Sequence, residues 1–107
     1  MGAKNLNKVL NNELKEKNEE FKLRLSLGRI IRRHRLLQDI KIKDMVEKTK
    51  ISNSYLVEIE RGNGNISIAI LFKIATVLNV SPSQLLKEAE ECQSSRAKDG
   101  DLNEDCI

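Results

Sequence analysis

"ISNSYLVEIERGNGNIS", residues 51–67, is the stretch whose reading decides the fold. Ser52 is suited to cap a helix and Gly62 to end one, and between them Leu56 and Ile59 recur at helical spacing. At about 100° per residue, Ser52, Tyr55, Leu56 and Ile59 gather on one side, leaving Asn53, Ser54, Val57, Glu58 and Arg61 toward the other. The spacing predicts a short helix with an apolar side in a core and a polar ridge outward. The ridge carries a carboxylate and has no cation before Arg61.

The flanking sequence predicts more helices of the same kind. Ser67 can cap "IAILFKIATVLN", where Ile68, Leu71, Ile74, Ala75 and Leu78 repeat at helical spacing. Ile70, Phe72 and Val77 extend its apolar surface almost all round, as in a central helix or one at a subunit contact. "SPSQ", residues 81–84, combines a capping serine, a proline suited to the first helical position and a glutamine able to complete a capping box. A helix is expected from 81 to about 90. Upstream, "LGRIIRRHRLL" places Leu27, Ile30, Ile31 and Leu37 on one side and Arg29, Arg32, Arg33 and His34 largely on another. His34, the single histidine, reads as an exposed helix residue. "IKDMVEK" supplies a further short helix with Met45 and Val46 inward. No alternating run of strand length competes, so the chain is expected to be all-α.

The ends differ from this middle. From 4 to 22 the chain is rich in lysine and glutamate, with Leu6, Leu10, Leu14 and Phe21 about one or two turns apart and Lys17 interrupting the seam. An additional N-terminal helix is expected there, either paired with a copy of itself or solvated and frayed. Residues 93–107 hold few apolar side chains and are expected to be disordered. The expected organisation is an N-terminal helical extension over 1–22, a helical domain over 23–90 and an acidic flexible tail over 91–107.

Charge follows the same division. Residues 1–86 carry 16 basic and 9 acidic side chains, a net +7, whereas residues 87–107 carry 3 and 7, a net −4. A basic body of one domain's length suits a polyanionic partner. Cys92 and Cys106 match neither a zinc spacing nor a disulfide framework, and are expected as reduced, solvent-facing thiols. No run of eighteen apolar residues or apolar leader appears, so a cytoplasmic location without membrane association is expected. No nucleophile and base, metal-ligand spacing or phosphate-cradling glycine loop is present, which points away from an enzyme and implies no cofactor or metal.

The order of these helices resembles the lambda-repressor-like, or Xre/Cro-type, helix-turn-helix family over Leu27 to Leu86, without gaps. The resemblance is carried by "LG" at 27–28, "IRRHR" at 31–35, "EKTKIS" at 47–52, "YLVEIERG" at 55–62, Ser67, Leu71, "KIA" at 73–75, Leu78, Val80 and "LL" at 85–86. It implies a five-helix DNA-binding domain, its second and third helices forming the helix-turn-helix, acting on double-stranded DNA as a homodimer. It also implies a structural ion pair between Arg35 and Glu60. Departures accompany it: Ile42 stands where the family places a phosphate-binding glutamine. Lys50 stands where it prefers glycine, and must either take a left-handed conformation or alter the turn.

Carried over position by position, the resemblance assigns base contacts to Asn53, Ser54, Val57 and Glu58. Asparagine can bond adenine, valine can meet a thymine methyl, and a carboxylate can accept from the cytosine amino group. Phosphate contacts are expected from Lys41, Lys43, Lys50, Tyr55, Arg61, Asn63 and Asn65, with Arg32 or Arg35 as further candidates from the first helix. The reading is a sequence-specific transcriptional regulator, of the size of the single-domain controllers of restriction-modification systems. The alternative is a protein-interaction module on the same fold, antitoxin-like or regulator-binding, that docks a partner through the N-terminal helix or the apolar fourth helix.

Overall fold

The computed structural model describes residues 2–99, with side chains described for residues 12–93. Five helices follow one another: α1 (Gly2–Leu37), α2 (Ile42–Thr49), α3 (Asn53–Arg61), α4 (Ile68–Leu78) and α5 (Pro82–Asp99). No strand occurs among the described residues. The all-helical class expected from the periodicities is the one observed.

Serine chemistry starts three of the helices. The hydroxyl oxygens of Ser52, Ser67 and Ser81 accept from the amides of Tyr55, Ile70 and Gln84 at 3.2, 3.1 and 3.1 Å, each meeting a donor that the first turn leaves without a partner. Left-handed residues end the helices: Lys50 (φ 63°) after α2, Gly62 (φ 84°) after α3 and Asn79 (φ 60°) after α4. Of the two outcomes open for Lys50, the left-handed one holds. Its amide donates to the Val46 carbonyl at 2.8 Å, which offsets part of the steric cost that glycine would avoid. Next to it, the buried Thr49 hydroxyl donates to the Met45 carbonyl at 2.6 Å and accepts from the Ile51 amide at 3.1 Å. The α2–α3 turn is thus satisfied internally.

The core draws on every helix: Leu27, Ile30 and Ile31 from α1, Met45 from α2, Leu56 and Ile59 from α3, Leu71, Ile74, Ala75 and Leu78 from α4, and Leu85 and Ala89 from α5. Two expected core positions lie outside it. Leu37 is 73% exposed and Ile68 86% exposed, and Phe72 joins Ile68 on the outer face of α4 at 61%.

The N-terminal helix is present, continuous with the first helix of the domain: α1 is a single element of 36 residues. At about 1.5 Å per residue it is roughly 54 Å long, which accounts for the 56 Å long axis of the molecule. Residues 12–22 are exposed, and burial begins with Leu23. At the other end α5 runs past the expected limit near 90 to Asp99. Ala89 is fully buried, and Gln93 donates to the carbonyl and side chain of Glu19 at 3.5 and 3.2 Å, so α5 follows α1 outward. The expected tail therefore begins inside a helix, and its remainder from 100 to 107 lies outside the described residues. Cys92 is 6% exposed, which overturns the solvent-facing thiol expected there; Cys106 lies outside the described residues.

His34 also departs from its expectation. Half-buried, its Nε2 donates to Glu88 Oε1 at 2.9 Å and ties α1 to α5, while Gln84 Nε2 donates to Glu88 Oε2 at 3.0 Å. Gln84 is thereby used along α5 instead of closing a capping box. Burial pushes the Glu88 carboxyl up, but hydrogen bonds from Gln84 and His34, with the charges of His34 and Arg33, outweigh it and hold the group below its ordinary value of 4.5. A depressed carboxyl stabilises the fold fully above its unfolded pKa and loses that contribution as pH falls through the folded one. The stability gap between wild type and Glu88→Gln in denaturant unfolding is therefore expected to shrink as pH falls below about 4. A gap that widens below that pH would contradict this.

Candidate nucleic-acid interface

The placement of α3 follows from how closely α1 approaches it. A methyl group added at Gly28 would stand 2.8 Å from the Glu60 carbonyl oxygen, and one at Gly62 would stand 2.8 Å from Leu25 Cα. Both distances are shorter than real carbon contacts, so only glycine at 28 lets the backbones of α1 and α3 cross here. Gly62 also needs its positive φ to turn the chain out of α3.

A charged fork locks the crossing. Arg35 Nε and Nη2 donate to the two carboxylate oxygens of Glu60 at 2.7 and 3.0 Å, and Nη1 donates to the Ile40 carbonyl at 2.9 Å. Both side chains are nearly buried, 11% and 10% exposed. Every polar edge is met, the condition under which a desolvated pair holds two elements in one geometry. Arg35 is thus committed inward, which removes it as a candidate phosphate contact.

With Leu56 and Ile59 buried against the core, α3 turns its other side out. Asn53 and Ser54 are exposed and Val57 and Glu58 half-buried, so the four residues expected to read bases share one outward arc of the helix with Arg61. Arg61 Nη1 stands 3.5 Å from Glu58 Oε1, with both side chains well exposed. Lys41, Lys43 and Lys50 are exposed at the start of α2 and in the turn before α3. Ile42, in the position of the missing glutamine, is half-buried and offers no donor.

The loop after α3 departs from expectation in one respect. The Tyr55 hydroxyl, expected to be available to a phosphate, donates to the Asn65 carbonyl. Asn65 Oδ1 accepts from Arg24 Nη1 at 3.2 Å, and the Asn63 amide donates to the Glu58 carbonyl at 2.9 Å. Tyr55 and Arg24 thus brace the loop from α3 and α1, and the exposed side chains of Asn63 and Asn65 flank the outward arc. These braces span ten and 41 residues, and no local signal in the chain announces them. Arg29 and Arg32, three apart on α1, line with Arg61, Leu25 and Glu60 a depression of about 300 Å³ beside the end of α3.

Five helices packed this way, with a braced turn between the second and third and a polar ridge on the third, define a helix-turn-helix domain of the lambda-repressor-like class. A family model described as helix-turn-helix matches residues 31–85, and the chain belongs to that family. It is similar to the HTH-type transcriptional regulator SinR of Bacillus licheniformis and of Bacillus subtilis (strain 168), 35% identical to each over 68 residues. That segment is 63% of this chain and spans about 61% of the length of either relative. Among solved structures, the clp gene regulator ClgR of Corynebacterium glutamicum superposes with a TM-score of 0.71 at 30% identity, over 75% of this chain and 85% of that one. The restriction-modification controller protein C.AhdI of Aeromonas hydrophila does so with a TM-score of 0.55 at 26% identity, over 57% and 92%.

Replacing Glu60 with alanine is expected to leave the Arg35 guanidinium buried without its counter-charge and to cost roughly 3–5 kcal/mol of stability. Thermal or urea unfolding measures it, and a loss under about 0.5 kcal/mol, the range of an ordinary surface change, would show that the fork does not hold the fold.

Proposed function

We propose that the chain is a sequence-specific regulator of transcription that binds double-stranded DNA as a homodimer, laying α3 in the major groove. The observation that carries the reading is the outward arc of α3, where Asn53, Ser54 and Arg61 are exposed and Val57 and Glu58 half-buried, held by the glycine crossing and the Arg35–Glu60 fork beneath it. Asn53, Ser54, Val57 and Glu58 read base edges. Lys41, Lys43, Lys50, Arg61, Asn63 and Asn65 hold phosphates, and these contacts set position while the base contacts choose sequence. Tyr55 serves the backbone contact indirectly, by fixing the loop that carries Asn63 and Asn65. Glu58 costs affinity near the phosphates and contributes selectivity, because an acceptor at that point rejects bases that also present acceptors.

A second copy covers the apolar face of α4 and α5. Ile68, Phe72 and Leu86 are exposed beside a groove of about 440 Å³ walled by Leu23, Leu27 and Leu71. A two-fold pair through this face would offer two reading helices to half-sites about one helical turn apart. Among the described residues no single helix is long and apolar enough to cross a membrane.

Selection from a random duplex pool is expected to enrich a two-fold site with wild type, and Glu58→Gln to change the preference at one position in each half while sparing the rest. Enrichment of no sequence by either protein would overturn the reading in favour of protein docking. Light scattering is expected to give the mass of two chains for wild type and of one for Phe72→Glu, with helical content unchanged; a single-chain mass for wild type would refute the pairing.

A further inference from the structure

The depression between α1 and the end of α3 shares Arg61 with the phosphate contacts assigned above and adds side chains of α1 to it. Arg29 and Arg32 lie one turn apart on α1, Arg61 closes the third side from α3, and Leu25 supplies apolar surface for their stems. Arg32 and Arg61 are exposed and Arg29 is half-buried. Glu60 also lines the space, but both its oxygens are engaged by Arg35, so its charge is met from below. Glu58 reaches Arg61 at 3.5 Å through an exposed pair, the kind that contributes little and exchanges readily.

Guanidinium groups around an open space of this size match the oxygen fork of a phosphate. We propose that Arg29, Arg32 and Arg61 form a phosphate site on the flank of α1, outside the helix-turn-helix, and that its occupant is a phosphodiester of the DNA backbone beside the groove that α3 enters. This rests on the DNA reading given above. The shared wall makes the placement specific: Arg61 belongs both to the depression and to the outward arc of α3, so a phosphate that engages Arg61 comes within reach of Arg32.

The test is the salt dependence of binding by the full chain to its selected duplex, for wild type, Arg32→Ala and Arg32→Lys. Arg32 is exposed, so thermal midpoints are expected to agree and serve as the fold control. Arg32→Ala is expected to bind all sequences more weakly by the same factor and to lower the slope of log K against log salt by about 1 per protomer. Arg32→Lys is expected to restore the slope while recovering only part of the affinity, since lysine keeps the charge and loses the fork. An unchanged slope and affinity in Arg32→Ala would overturn the site while leaving the DNA reading intact. If wild type binds no duplex, the DNA reading fails by itself, and inorganic phosphate titrated at constant ionic strength decides the site. A saturable shift of the arginine Nε–H NMR signals that disappears in Arg32→Ala would assign it to a free phosphoryl ligand, and no shift would overturn it.

Discussion

Burying a guanidinium is unfavourable unless each of its donor edges meets an acceptor, and the fold is arranged around one place where this condition is fulfilled. Arg35 reaches both oxygens of Glu60 and the carbonyl of Ile40, so one side chain ties α1 to the end of α3 and to the approach to α2. The fork alone would tolerate several separations of the helices. Gly28 removes that freedom by letting the backbones touch where any Cβ would collide. Attraction from the pair and contact at the glycine together leave α3 one height and one tilt. The outward arc inherits its geometry from groups that do not belong to it.

The chain disclosed those parts of the fold that depend on nearest neighbours. Ser52, Ser67 and Ser81 announced helix starts because a cap acts over three residues, and Leu56 and Ile59 announced a buried side because helical spacing is local. Exposure was less legible. Ile68 and Leu37 satisfy the same periodicity as their buried neighbours, and whether another element covers them depends on chain far away in sequence. Residues 91–99 continue as helix past the limit that composition suggests, and Gln93 meets Glu19 where α5 runs beside α1.

The candidate site was legible in outline and not in its supports. The polar arc of α3 followed from angular spacing, whereas the Arg35–Glu60 partnership came from family resemblance, 25 residues apart in sequence with no local mark. Tyr55 illustrates the limit. Its place on the edge of α3 was readable, but the use of its hydroxyl was not, because the acceptor is a backbone carbonyl brought back by the loop. The same holds for Glu88, whose carboxylate bonds a histidine 54 residues away as well as Gln84 on its own helix.

α1 passes without a break from its exposed outer turns to the glycine crossing and on to Arg35. An α-helix resists bending because each turn is bonded to the next, so its two halves share one axis. The outer half is therefore a lever on the inner one. A grip on the outer turns would swing the whole rod about its anchorage, and since α3 is keyed to that rod, tilt of the one is tilt of the other.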